Sequence, residues 1–439
     1  MIKKILNKLP IIALIFSLVL CFVSCKENDP PVEDDGDKDF VSELKLDMES
    51  ETLKERVTVK QYVDGDTTHF FVTTSAIPGG VLQARYLAIN TPESTGKIEE
   101  WGKKASKFTQ ETLSKATSII IESDDSNWNL DSTGGRYLVW VWYRTSEDSD
   151  YRNLNVEILQ NGLALASNSG QNRYGEICLA ALAQARRNKL YLYSGEKDPD
   201  FYYGDAAEIT LKELRFNISE YEGKKVAFEG NIIANYNNSI YLEDYDEETG
   251  ICYGITVYLG YSLNGDGLRI VSMGNRSRIV GTVQYYAAGD IYQVSGIEYR
   301  PFKPADSVSL VEEGVTPLYV ETSINELFNE KVKVIDEENG TSKELRKYDA
   351  MLYTSVSLYD LTVNTVRISD SSSGTTLVLG CTDGSGKVIS VKVPAVTDGS
   401  GNIDKSFYQG QTIDVKGLIT IDYGDQLIRV FDDENIRIK

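Results

Sequence analysis

The order of periodic segments between residues 57 and 190 is the strongest constraint on the fold. Residues 57–89 alternate apolar and polar positions in three runs, separated by the turns "DGDTT" and "IPGG", and a period of two residues is typical of half-buried strands. A run of helical spacing (98–116), two more strand-like runs and two more helical runs follow. This order predicts a five-stranded barrel surrounded by three helices, which is the OB-fold arrangement.

Beyond residue 205 the hydrophobic pattern is typical of β-strands, and one pattern of glycines occurs twice. "GNRSRIVGTVQYY" and "GQTIDVKGLITID" each contain two glycines seven residues apart, and a Gly-Asp turn follows each of them. A chain of 439 residues is also too long for one typical core. We therefore predict a mainly β protein with some helix, whose barrel domain (51–198) precedes two OB-like β-barrel modules (205–303 and 317–439).

The first residues predict export. The basic start "MIKKILNK" precedes an apolar run over residues 9–23, so residues 1–24 are predicted to be a signal peptide. "FVSC" resembles a bacterial lipobox, which would make Cys25 the lipidated mature N-terminus; an ordinary signal with an incidental cysteine is the alternative. Lipid on Cys25 would hold the protein to a membrane without a spanning helix.

Residues 25–50 carry three basic and ten acidic side chains, and such a segment is predicted to be a flexible, solvated tether. The acidic run resembles the export signal of surface-exposed lipoproteins in Bacteroidetes-type bacteria, and a plain spacer is an equal alternative. The predicted location is therefore the cell envelope, outside the cytoplasm and lipid-anchored, with the outer membrane or cell surface favoured.

Charge is unevenly distributed along the chain, whose net charge is −21. Residues 51–198 carry a net charge of −2 and residues 199–439 carry −15. The first barrel can therefore present a local basic face to a polyanion, although the field of the whole chain opposes nucleic acid.

Three cysteines lie after the predicted tether, Cys178, Cys252 and Cys381, and their wide spacing predicts isolated thiols with no disulfide.

Four short stretches of the first barrel carry residues suited to phosphodiester hydrolysis. They are "DGDT" at 64–67, Arg85, "NTPES" at 90–94 and "DSTGGRYL" at 131–138. Hard oxygen ligands can bind a divalent cation, a carboxylate can activate water, and arginines can neutralise phosphate charge. Each stretch alone has a plain structural reading, because Asp-Gly is first of all a hairpin signal.

Taken in order, these stretches resemble the thermonuclease, or staphylococcal-nuclease-like, family. "VDGDTT", "RYLAINTPES", "TGGRYLVWVW", "NVEILQNGLALA" and "AQARRNKLYLYS" match five blocks of that family between Val57 and Ser194. The resemblance implies an OB barrel with helices, a Ca²⁺ cofactor, and DNA and RNA as substrates.

The resemblance also implies roles for individual residues. Asp66 and Thr91 correspond to calcium ligands, and Glu93 corresponds to the general base for the attacking water. Arg85 and Arg136 correspond to the arginines that hold the phosphate in the transition state. Asp131 has no firm counterpart in the family.

One position departs from the family, because Asn90 stands where a second calcium-binding aspartate is expected. The amide keeps an oxygen ligand but removes a negative charge, which lowers calcium affinity. Three interpretations follow: weaker calcium binding, use of another cation such as Mg²⁺ or Mn²⁺, or loss of activity with binding retained. The leading hypothesis is a lipid-anchored, metal-dependent endonuclease; the alternative is a non-catalytic surface protein that binds nucleic acid or another polyanion.

Overall fold

The computed structural model describes residues 37–260, 263, 265–287, 289–335, 342–371, 374–422 and 424–439. The predicted signal peptide, the predicted lipidation site Cys25 and the first part of the predicted tether lie outside the described residues. In the described part of the chain, no helix has the length and apolar character needed to cross a membrane. Helix α1 (Phe40–Glu43) comes before the predicted domain boundary at residue 51, and Val41 and Leu44 are buried in the core of the first barrel.

The first barrel closes through five strands. The strands of this region are β1 (Lys54–Asp64), β2 (Thr67–Phe71), β3 (Val81–Tyr86), β4 (Ile89–Asn90), β5 (Ser118–Glu122), β6 (Tyr137–Arg144), β7 (Arg152–Asn153) and β8 (Leu165–Ala166). Antiparallel pairs join β1 to β2, β2 to β3, β1 to β5 and β5 to β6, and a parallel pair joins β3 to β6. The predicted five-stranded barrel is confirmed.

Three helices pack around this barrel, as predicted. They are α2 (Gly102–Ser114), α3 (Leu154–Gln160) and α4 (Gly175–Arg187). In α2 the buried positions Ala105, Thr109 and Leu113 recur every four residues, which places them on one face of the helix. Gly162 follows α3 with φ +68°, the left-handed conformation that glycine adopts most easily at a helix C-terminus.

The rest of the chain forms two further barrels with short helices. Strands of the second barrel region are β9 (Ala207–Glu208), β10 (Lys225–Tyr236), β11 (Ser239–Asp246), β12 (Ile251–Tyr258), β13 (Asn275–Tyr286), β14 (Ile291–Ser295) and β15 (Ser309–Glu313). Strands of the third are β16 (Val320–Glu321), β17 (Lys331–Ile335), β18 (Ser342–Arg346), β19 (Ser355–Ser371), β20 (Gly374–Thr382), β21 (Val388–Pro394), β22 (Thr412–Asp422), β23 (Asp425–Arg429) and β24 (Ile436–Ile438). The helices are α5 (Leu211–Asn217), α6 (Asp266–Ile270), α7 (Ile324–Asn329) and α8 (Lys347–Ala350). Single 3₁₀ turns occur at Pro78–Gly80, Ser169–Gln171, Tyr191–Tyr193, Ile218–Tyr221, Pro304–Asp306 and Asp433–Asn435.

All three barrels have the same ring of strands. The rings consist of β1, β2, β3, β5 and β6 in the first barrel, β10–β14 in the second, and β19–β23 in the third. Counted within each ring, the first strand pairs with the second and the fourth. The third strand pairs in parallel with the fifth, as β3–β6, β12–β14 and β21–β23. The two predicted OB-like modules are therefore confirmed as barrel-like sheets. Cys178, Cys252 and Cys381 are buried free thiols.

The second and third barrels share one hydrophobic core, whereas the first barrel has its own. Glu243 on β11 is 1% exposed, and its carboxylate accepts hydrogen bonds from the Ser355 N–H at 2.7 Å and the Leu318 N–H at 3.1 Å. On β12, a Cβ added to Gly254 would lie 2.5 Å from the Tyr353 carbonyl oxygen. The β11–β12 side of the second barrel is thus covered by the third.

Candidate active site

The "DGDT" stretch forms the turn between β1 and β2, where Asp64 pairs with Thr67. Helix α2 holds this turn, because the Thr109 hydroxyl donates a hydrogen bond to the Gly65 carbonyl at 2.6 Å. A Cβ added to Gly65 would lie 2.8 Å from Thr91 Cγ2 and 3.0 Å from Ala105 Cβ. Gly65 is therefore required by close packing of the turn against Thr91 and α2.

Asp66 is buried at the end of this turn, with 1% of its surface exposed. Its Oδ2 accepts a hydrogen bond from the Thr91 N–H at 2.8 Å, and its Oδ1 accepts one from the Thr67 hydroxyl at 3.0 Å. The Asp66 carbonyl also accepts a hydrogen bond from the Tyr86 N–H at 2.9 Å. These bonds fix the carboxylate between the turn and the segment that follows β4.

Arg85 joins two of the predicted metal ligands. Its guanidinium donates one hydrogen bond to Asp66 Oδ1 and a second to Asn90 Oδ1. Strand β3 places Arg85 directly beside Thr67, its partner on β2. The structure therefore brings Asp66, Arg85, Asn90 and Thr91 together.

Asp64 belongs to the same cluster, although its Asp-Gly pair predicted only a hairpin turn. It is 5% exposed, and its Oδ1 accepts a hydrogen bond from the Thr91 hydroxyl at 3.3 Å. Burial, together with the neighbouring Glu93 carboxyl, raises the pKa of Asp64 to about 7. The only signal in the sequence was its position in the turn, two residues before Asp66.

The charge of Asp66 is opposed by burial and supported by Arg85. Burial raises the pKa of Asp66 to about 6, the adjacent Arg85 guanidinium pulls this pKa down, and the nearby Asp64 raises it. Asp64 therefore interacts with two other carboxyls, Asp66 and Glu93. Because a nearby opposite charge favours the ionised form of a carboxyl, a cation bound here would stabilise these charges.

Glu93 lies on the exposed segment after β4. Its backbone is tied to Glu99, because the Glu99 N–H donates to the Glu93 carbonyl at 2.9 Å and the Glu93 N–H donates to Glu99 Oε2 at 3.2 Å. A Cβ added to Gly102 would lie 2.1 Å from the Glu93 carbonyl oxygen. The start of α2 therefore fits directly under the backbone of Glu93.

Arg136 immediately precedes β6, close to the position at which Arg85 pairs with Leu138 across the parallel β3–β6 contact. Its side chain is bound to a different carboxylate from that of Arg85. The guanidinium of Arg136 contacts Asp131, with Nε–Oδ2 at 2.8 Å and Nη2–Oδ2 at 2.7 Å. Although burial acts in the opposite direction, hydrogen bonds from Thr133 and Arg136 lower the pKa of Asp131. Asp131 is thus the partner of Arg136, a role that its sequence context did not predict.

The donor atoms around Asp66 suit a hard divalent cation. In the part of the chain that the structure describes, no three acidic, histidine or cysteine side chains form a metal-binding group. However, the side-chain oxygens of Asp66 and Asn90 already converge on one positive centre, the Arg85 guanidinium. An all-oxygen set of this kind fits Ca²⁺, Mg²⁺ or Mn²⁺, and the neutral Asn90 makes it a weaker set than two carboxylates would be.

Part of the first barrel matches a known protein family. Residues 83–195 match the model of the staphylococcal nuclease homologue family, a stretch that contains Arg85, Asn90, Thr91, Glu93 and Arg136 and begins after the "DGDT" turn. The first barrel is therefore a staphylococcal-nuclease-like domain. A search of curated proteins finds no match to this chain.

Proposed function

We propose that the protein is a metal-dependent endonuclease that hydrolyses phosphodiester bonds of DNA and RNA. The observation that supports this most is the meeting of the buried Asp66 and Thr91 with the half-buried Arg85 and Asn90 in one cluster, with Glu93 beside Asp64. The fold of the first barrel is that of a nuclease family, and members of this family generally depend on Ca²⁺.

In this proposal Asp66, Asn90 and Thr91 hold the cation, which would supply positive charge to a phosphate oxygen. Glu93, which is exposed, takes the proton from the attacking water. Arg85 and Arg136 donate hydrogen bonds to the phosphate, where charge grows as the pentacoordinate state forms. Binding of phosphate requires both guanidinium groups to change partners: Arg136 would leave Asp131, and Arg85 would leave the Asp66 and Asn90 oxygens that hold the cation.

The test is cleavage by residues 40–439, the compact unit that contains all three barrels. Single-stranded and double-stranded DNA and RNA are incubated with Ca²⁺, Mg²⁺, Mn²⁺ or EDTA. We expect cleavage that EDTA removes and that Glu93→Gln reduces by about 100-fold or more, the usual scale for an acid–base group. Glu111→Gln, on the exposed side of α2, is the matched control and should cleave at the unsubstituted rate.

A non-catalytic binding protein is the second candidate function, and Asn90 is the observation that favours it. With the amide in place of a carboxylate, the cation site loses charge, while Arg85 and Arg136 remain able to bind a polyanion. In the same assay this function predicts binding to DNA or RNA, measured by fluorescence anisotropy, with no cleavage under any of the three cations.

We also propose that the protein is anchored to the cell envelope through lipid on Cys25. The support is the sequence alone, namely the apolar run followed by "FVSC" and an acidic segment. Expression of the full chain in a bacterial host with labelled palmitate should label the membrane fraction. Cys25→Ser should remove the label, and retention of the label in that variant would reject the proposal.

A further inference from the structure

The second barrel contacts the first barrel next to the candidate active site. The Gly96 carbonyl oxygen accepts two hydrogen bonds from the second barrel, one from Gln284 Nε2 at 3.0 Å and one from the Ser295 hydroxyl at 2.8 Å. Lys97 Nζ forms an ion pair with Glu298 Oε1 at 2.9 Å. Gln284 and Ser295 are 8% and 0% exposed, so both donor side chains are buried, while the acceptor Gly96 is half-buried.

The two backbones are also in close contact at this point. Gly296 has φ +69°, and a Cβ added to it would lie 3.1 Å from the Gly96 carbonyl oxygen and 3.3 Å from Lys97 Cα. A second contact involves α2, because a Cβ added to Gly223 would lie 2.7 Å from Lys103 Nζ. The second barrel therefore contacts both the segment around Gly96 and the helix that follows it.

The segment held in this way carries the proposed general base. Residues 93–99 form a loop whose base is closed by the two hydrogen bonds between Glu93 and Glu99. Gly96 lies at the middle of this loop, and the two donors from the second barrel bind there. The loop is thus fixed at its base by the first barrel and at its middle by the second.

We propose that Gln284 and Ser295 are positioning residues of the active site, which act through the Gly96 carbonyl to hold the loop that places Glu93 beside Asp64. This inference rests on the proposed function in so far as Glu93 is the base. An exposed carboxylate on a free loop would sample many positions, and supporting hydrogen bonds reduce that sampling. The second barrel is then a working part of the nuclease site and more than an attached module.

The test uses residues 40–439 with Gln284→Glu, with Gln284→Ala/Ser295→Ala, and with Gln293→Ala as the matched control. Gln284→Glu keeps the shape of the side chain but replaces the N–H donor that faces the Gly96 carbonyl. Gln293 is the cross-strand neighbour of Gln284, and the described residues show no hydrogen bond from it to this loop. Hydrogen–deuterium exchange of residues 93–98, kcat and KM are measured for each variant, and thermal unfolding confirms that each is folded.

We expect both Gln284 variants to raise loop exchange and to lower kcat about 10-fold or more, the usual cost of losing an outer supporting contact, with KM within about twofold. The control should match the unsubstituted chain. Unchanged loop exchange, or raised exchange with unchanged kcat, would overturn the proposal. If the unsubstituted chain cleaves nothing, the proposed function fails, and the exchange experiment alone then decides whether the second barrel holds the loop.

Discussion

The β1–β2 turn of the first barrel and the β10–β11 turn of the second barrel occupy the same place in the same ring of strands. They differ in solvent exposure and in backbone conformation. Asp64 and Asp66 in the β1–β2 turn are 5% and 1% exposed. Asn237 and Asn238 in the β10–β11 turn are exposed, with φ values of 51° and 58°. One turn is packed from outside, and the other is open to water.

This difference teaches that the packing around a turn decides its role. Asn237 and Asn238 meet the demand of a tight hairpin for positive φ. Gly65 does not have a positive φ, and it is needed because Thr91 and α2 lie against it. The helix and the segment after β4 therefore convert a hairpin turn into a buried pair of carboxylates.

The largest expected effect comes from removal of the Asp66 carboxylate, which has no counterpart in the β10–β11 turn. Asp66→Ala should lower metal-dependent cleavage by more than about 100-fold, because a direct ligand should matter more than the outer contacts that cost 10–100-fold. Asn238→Ala, at the equivalent turn, should leave the cleavage rate unchanged. Equal activity of Asp66→Ala and the unsubstituted chain would remove Asp66 from the site.

The two barrels also differ in what covers them. The third barrel covers the β11–β12 side of the second, and substitution of Glu243 tests how much that contact contributes to stability. Glu243→Ala should lower the free energy of unfolding by about 3 kcal/mol, because it leaves the buried N–H and hydroxyl of Ser355 without their acceptor. Glu248→Ala, with 82% of the Glu248 side chain exposed, should change it by less than about 0.5 kcal/mol. Urea unfolding followed by circular dichroism gives both values, and equal values would show that the covered side contributes no stability.

The packing explanation of the first turn is tested by Gly65→Ala. The added methyl should force Thr91 or Ala105 to move and destabilise the folded chain by about 1–3 kcal/mol. Gly399→Ala is the control, since a Cβ there meets nothing within 4 Å. If the two variants unfold at the same urea concentration, Gly65 serves the turn alone.

The smallest expected effect is a gain in metal affinity when Asn90 is replaced by aspartate. Asn90→Asp adds a charged oxygen ligand and should lower the metal concentration for half-maximal cleavage about 10-fold, because ligand charge tunes the affinity of such sites. Asn238→Asp adds the same charge to the second barrel and should leave that concentration unchanged. A metal titration of the cleavage rate separates the two, and a higher requirement in Asn90→Asp would show that Asn90 is no ligand.

Local patterns in the sequence predicted much of the fold. The strand and helix periods predicted the first barrel, whereas only the resemblance of the "DGDT" and "NTPES" stretches to a known family implied a shared site for Asp66 and Asn90. Asp131 was left without a role because its bond to Arg136 depends on how a long loop closes. The contact between Gly96 and Gln284 spans 188 residues, and no local pattern reports a contact at such separation.

Gly254 gives a way to recognise this arrangement in other sequences. Its Cα faces the Tyr353 backbone so closely that no side chain fits. A relative with alanine or a larger residue at this position must hold its last two barrels in a different arrangement. The residue type at this position of β12 therefore indicates how the last two barrels of such a chain pack against each other.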